Sequence, residues 1–202
     1  MSLVTPDEVL AFWIGPTAHD ASQLDKGMKL WFGKSEEVDR EIAARFADTI
    51  EALAVGLMDE WAARGARSRL AAVITLDQFP RNIHRGSARA FGYDRMALGL
   101  VKDGLLNHVD EELTEIEQVF FYLPLEHSER TADQALCVQL MEKLVKTARP
   151  DFKSFAEHTL DFAHKHKAVI DQFGRFPHRN AALGRKNTPE EDAYLAQPGA
   201  GF

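Results

Sequence analysis

Leu70-Ala71-Ala72-Val73-Ile74-Thr75-Leu76 is the run on which the fold class turns, because a short, nearly unbroken apolar stretch fits a buried strand as well as a buried helix. No other stretch of the chain offers it a strand partner, so the helical reading wins. A helix that is apolar nearly all round belongs in the middle of a domain. Upstream, Val38, Ile42, Phe46, Ile50, Leu53 and Leu57 recur at three and four residues, with Glu41, Arg45, Asp48 and Glu51 between them, which is the pattern of a half-buried helix after a Ser35 cap.

The same punctuation recurs along the chain. Thr5-Pro6-Asp7-Glu8, Thr114-Glu115-Ile116-Glu117, Thr131-Ala132-Asp133-Gln134 and Thr188-Pro189-Glu190-Glu191 read as helix starts with a capping hydroxyl. Phe152, Phe155, Thr159, Phe162, Ala163, His166, Ile170 and Phe173 mark one long helix, and Val119 to Leu123 an aromatic one that Pro124 is expected to break. Residues 16–30 read as an irregular loop, a helix from Ser87 is expected to fray at Gly104, and the last five residues, Pro198 to Phe202, read as loose. The sum is an all-α chain of about eight helices in a single domain spanning 1–202, packed as antiparallel hairpins or a short right-handed superhelix.

Composition narrows the function classes. A formal net charge of −7 and a pI near 5.6 argue against a broad nucleic-acid surface, and no apolar stretch has the length of a membrane span. Cys137 is the only cysteine, which excludes an intrachain disulfide and a cysteine-based zinc site and fits a reduced, cytoplasmic protein. His158, His164 and His166 are not three or four residues apart, so they share no ligand face and no metal or other cofactor is expected. Gly33-Lys34-Ser35 resembles the end of a phosphate loop, but its first glycine would stand where Met28 does.

One string is doubled. Asp77-Gln78-Phe79-Pro80-Arg81-Asn82-Ile83-His84-Arg85 returns as Asp171-Gln172-Phe173-Gly174-Arg175-Phe176-Pro177-His178-Arg179, followed by Asn180. Both fit D-Q-F-x-R-x-x-H-R. Pro80 should stop the first helix near Gln78, and Gly174 should cap the second in a left-handed turn. Asp77 and Asp171 then lie at the negative end of a helix dipole and call for basic partners, as structural ion pairs. Four arginines stand against those two aspartates, so Arg81, His84, Arg85, Arg175, His178, Arg179 and Asn180, with Glu126 and His127 from the polar turn after Pro124, are the candidate site for a small phosphate or carboxylate ligand. The alternative is that these groups satisfy one another and lock the fold.

Several strings resemble a bacterial family of unknown function: Phe12-Trp13, Trp31-Phe32, Leu76-Asp77-Gln78-Phe79-Pro80-Arg81-Asn82, Pro124-Leu125-Glu126-His127-Ser128-Glu129 and Phe173 through Asn180, extended by Leu183-Gly184-Arg185 and Thr188 through Glu191. The resemblance implies an all-helical fold similar to tetratricopeptide-like superhelices and no established activity. No thirty-four-residue consensus is legible. Two classes stay open: a helical module for a protein partner, and a small-molecule site built on the doubled motif.

Overall fold

The computed structural model describes residues 3–201, and the regular structure among them is entirely helical. The α-helices are α1 (Pro6–Trp13), α2 (Leu24–Phe32), α3 (Glu36–Ala52), α4 (Met58–Ala63), α5 (Ala66–Asp77), α6 (Phe79–Ile83), α7 (Asp94–Leu106), α8 (Glu115–Glu126), α9 (Thr131–Thr147), α10 (Pro150–Phe173) and α11 (Pro189–Leu195), with short 3₁₀ turns between several of them. Among the described residues no helix is long and apolar enough to cross a membrane.

Two helices form the centre. The decisive run lies in α5, where every residue from Arg69 to Asp77 is buried, packed on α1, α4, α7 and α8. In α8 the residues from Val119 to Glu126 are likewise buried on all sides. Over these runs neither helix has a face left for solvent, so each carries its closing carboxylate, Asp77 or Glu126, into the interior. The other helices wrap them with one apolar face each, as α10 does with Phe152, Phe155, Ala156, Thr159, Ala163, His166 and Ile170. Phe79 of the first motif sits in the aromatic centre, its ring 4.6 Å from Phe46 and 5.4 Å from Trp13. Truncating such a residue typically costs about 3–5 kcal/mol.

The Pro80 expectation holds and the Pro124 one does not. Helix α5 does stop at Asp77, but α6 starts at once, with Pro80 in its first turn, where no amide hydrogen is needed. Pro124 lies inside α8, and the helix runs on for two more residues to Glu126. Residues 16–30 are also more ordered than a loop: 3₁₀ turns lead into α2, where Gly27 lets the Trp31 ring lie within 2.7 Å of where a Cβ would stand. The Trp31 indole N–H then donates to the Trp13 carbonyl at 2.7 Å. Helix α7 starts at Asp94 and continues past Gly104, whose lack of a side chain admits the Phe121 ring. The cap of α9 is Arg130, not Thr131, while the Thr5, Thr114 and Thr188 boxes form as read. Of the last five residues, Phe202 lies outside the described ones; Gly201 approaches the His178 side chain closely enough that a Cβ would fall 2.7 Å from it.

Candidate functional site

The ends of α5 and α8 meet. Asp77, fully buried, accepts a hydrogen bond from His127 Nδ1 at 2.8 Å and one from Gln78 Nε2 at 2.6 Å, and Arg81 Nη1 stands 3.4 Å from its Oδ1. Burial pushes the Asp77 carboxyl upward, but Arg81, His127 and Gln78 outweigh it and hold the group well below the usual carboxylate range. Arg81 also bonds the Asp77 carbonyl, closing the helix end with the cation that its dipole favours. Since His127 donates through Nδ1 to a carboxylate, its Nε2 keeps the lone pair and makes no hydrogen bond among the described residues.

Glu126, the neighbour of His127, points to α10. His166 Nδ1 lies 3.2 Å from its Oε1 and 2.9 Å from the Phe162 carbonyl. Burial, reinforced by the Asp77 charge, raises Glu126 to about 8, and burial lowers His166 to about 3. Both are therefore neutral at pH 7: a protonated carboxyl beside an uncharged imidazole.

The arginines complete the cluster through a residue that the sequence did not single out. Asp94, first residue of α7, takes Arg81 bidentately at 2.8 and 3.0 Å, and Arg179 Nη1 lies 3.6 Å from its Oδ2. Arg179 is only 6% exposed, yet its side chain makes no hydrogen bond among the described residues, and its Nε is buried without an acceptor. Its Cζ lies 4.7 Å from the Phe91 ring and 4.5 Å from the Phe176 ring. Burial and the nearby Arg81 lower it to about 10, still charged at neutral pH.

The remaining candidates lie elsewhere. Arg85 pairs with Asp39 at the start of α3, which also accepts from Asn82. His84 caps α6 away from the cluster. Arg175 forks onto Glu191 at 2.6 and 2.7 Å, and Asn180 bonds Glu191 and Asn187, so both hold α11. Asp171 is half-exposed and pairs with Lys167, not with an arginine, because it falls on the solvent side of α10. His178 is partly buried against the cluster, next to Phe176, and burial with Arg179 close by lowers it to about 4. The doubled motif thus brings Asp77, Arg81 and Arg179 together and separates the rest.

Asp94, Phe91 and Gln78 were not among the residues singled out, and His166 was read only as a core position. His166 had a signal, a histidine on the buried stripe of a long helix; Asp94 had none beyond its place at a helix start. Surface hollows of about 440 and 520 Å3 lie beside Phe32 and Phe173, away from the cluster, and are shallow grooves between side chains. Among the described residues no group of three or more His, Cys, Asp or Glu side chains is arranged to hold a metal ion.

Comparison with known proteins follows the geometry. A family described as "Bacterial protein of unknown function (DUF924)" matches residues 9–199. A solved protein of unknown function, ATU0120 from Agrobacterium tumefaciens, is similar at 33% identity and a TM-score of 0.78, over 95% of this chain and 96% of that one. No curated protein matches the chain.

Proposed function

This chain belongs to the DUF924 family of bacterial proteins, and from its buried charge cluster we propose that it binds a small anionic molecule, a carboxylate or a phosphate, between Arg179 and His127. One observation carries the reading. Among the described residues Arg179 is a guanidinium taken out of water whose Nε has no acceptor and whose one ion pair, with Asp94, stands at 3.6 Å, although a buried polar group without a partner costs several kcal/mol and is rare. A bound oxyanion would supply the acceptors. His127, its ring fixed by Asp77, offers beside it a nitrogen that can take a proton, and the protonated Glu126 lies next in sequence.

The second reading is a tetratricopeptide-like superhelix that binds a protein partner while the motifs lock the fold. It is favoured by the pairing of the other motif arginines: Arg81 with Asp94, Arg85 with Asp39 and Arg175 with Glu191. Against the superhelical part stands the packing of α5, which touches α1 and α8 as well as its neighbours in sequence, whereas a solenoid repeat contacts only adjacent repeats.

Thermal melting separates the two. Carboxylates and phosphates are titrated at constant ionic strength against the wild type, Arg179→Gln and, as a control outside the cluster, Arg85→Gln. An anion at a hundred times its dissociation constant adds about 2.7 kcal/mol of stability. The expected outcome is a shift in the wild type and Arg85→Gln that Arg179→Gln loses. Shifts indifferent to Arg179, or none with any anion, would leave the locking role.

A further inference from the structure

We infer that the anion site proposed above is built for a planar monocarboxylate and not for a phosphate, because its fixed charges cancel and Arg179, whose Nε lacks an acceptor, offers only an in-plane edge. The inference rests on the anion reading and narrows it to one ligand class.

The charge account comes first. Two arginines, Arg81 and Arg179, face two aspartates, Asp77 and Asp94. Glu129, the next acid outward, is taken by Arg185 at 2.8 and 2.9 Å and by the Phe176 amide. Glu126, His166 and His178 are uncharged at neutral pH for the reasons given above. The cluster is therefore neutral before any ligand arrives, and an entering anion leaves it one or two charges in excess within a few ångströms of Asp94. Like charges this close in a partly desolvated site repel strongly.

One group can absorb a charge. His127 faces Asp77 on α5, Arg81 on α6, Asp94 on α7 and His166 on α10, with Arg179 and His178 from the second motif beyond. Burial and Arg81 keep its imidazole neutral in the free protein, but a carboxylate at Arg179 adds the negative charge that favours protonation, while Asp77 already accepts from Nδ1. Taking up one proton with one monoanion restores neutrality. A dianion would need a second proton, and the buried His166 and partly buried His178, lowered to about 3 and about 4, do not take it up at neutral pH.

Shape points the same way. The Phe91 and Phe176 rings pack on Arg179 at its Cζ, so a partner would meet the guanidinium at its N–H edge, and a carboxylate presents two oxygens in that plane. A tetrahedral group would direct further oxygens toward the rings or toward Asp94.

The test compares probes on the intact protein at pH 8, where inorganic phosphate is mostly a dianion. Acetate and propionate are followed by 1H line broadening and inorganic phosphate by 31P line broadening. The carboxylates are expected to bind at least about tenfold more tightly than phosphate, a factor large enough to decide specificity. Their affinity should rise as pH falls toward 6, with a dependence that His127→Gln flattens. Phosphate binding as well as or better than both carboxylates would overturn this inference and leave the anion site standing. Neither class binding would remove the anion site itself. Because both outcomes are read on the wild type, poor folding of a variant does not blunt them.

Discussion

Asp77 and Asp171 hold the same place in two copies of one nine-residue pattern, at the last turn of a helix, and their surroundings have almost nothing in common. Asp77 is fully buried between His127, Gln78 and Arg81; the Asp171 side chain is 48% exposed and meets only Lys167. The host helix makes the difference. Helix α5 is apolar on every side and carries its carboxylate inward, whereas α10 has a wet face and Asp171 falls on it. The fourth residue then sorts the arginines. Pro80 starts another helical turn at once, which brings Arg81 back over Asp77. Gly174, at φ +68°, ends α10 in a left-handed turn that only glycine adopts readily, so Arg175 goes out to Glu191 and Arg179, four residues on, goes in. A short motif thus specifies chemistry only through the element that carries it.

The sharpest way to break this comparison is to remove both aspartates in turn. Asp77→Ala leaves the His127 and Gln78 donors without their acceptor and Arg81 with Asp94 alone, and should destabilise by about 3 kcal/mol. Urea unfolding at pH 7 reads the change, and a loss below about 1 kcal/mol would show that the buried pairing carries little energy.

The next largest effect belongs to the other central carboxylate. Asp77 is depressed, so its contribution is present at neutral pH and disappears as pH falls below the ordinary aspartate range. Glu126 has the opposite sign. The folded protein holds its proton up to about 8 while the unfolded chain releases it near 4.5, so stability falls as pH rises through that window. Glu126→Gln should remove that slope and gain on the order of a few kcal/mol over the wild type at pH 8, since a tenfold change in a protonation constant is worth about 1.4 kcal/mol. Parallel stability curves for the two proteins between pH 5 and 8 would contradict the raised carboxyl.

The smallest effect is expected in the second copy. Asp171→Ala removes an exposed pair with Lys167 and should change stability by no more than about 0.5 kcal/mol. A cost comparable to that of Asp77→Ala would erase the asymmetry between the copies.

Much of the fold was legible because its signals are local. Three threonine capping boxes, the period of α3 and α10, and the all-apolar run of α5 each state one helix without reference to the others. Pro80 marks the end of α5 as read, whereas the reading of Pro124 went astray because only two residues of α8 follow it and little helix remained to be broken. The site was half legible. Asp77, Arg81, His127, Glu126 and Arg179 could be named as residues that needed partners, but which partner each receives depends on tertiary placement. Arg175 and Arg179 are equally basic in the sequence, and only the packing of α11 gives the first to Glu191. Asp94 carries the link between the two arginines, yet a lone aspartate at a helix start looks like an ordinary dipole partner.

The central claim is that Arg179 is a buried cation waiting for an acceptor. Its Nε–H is a single bond whose 1H–15N resonance can be assigned by its loss in Arg179→Lys and followed in the wild type. Propionate added at constant ionic strength should move that resonance saturably and leave the Nε–H signal of Arg85, already bonded to Asp39, in place. An Arg179 resonance that stays fixed across the titration, or moves only as much as that of Arg85, would contradict the account.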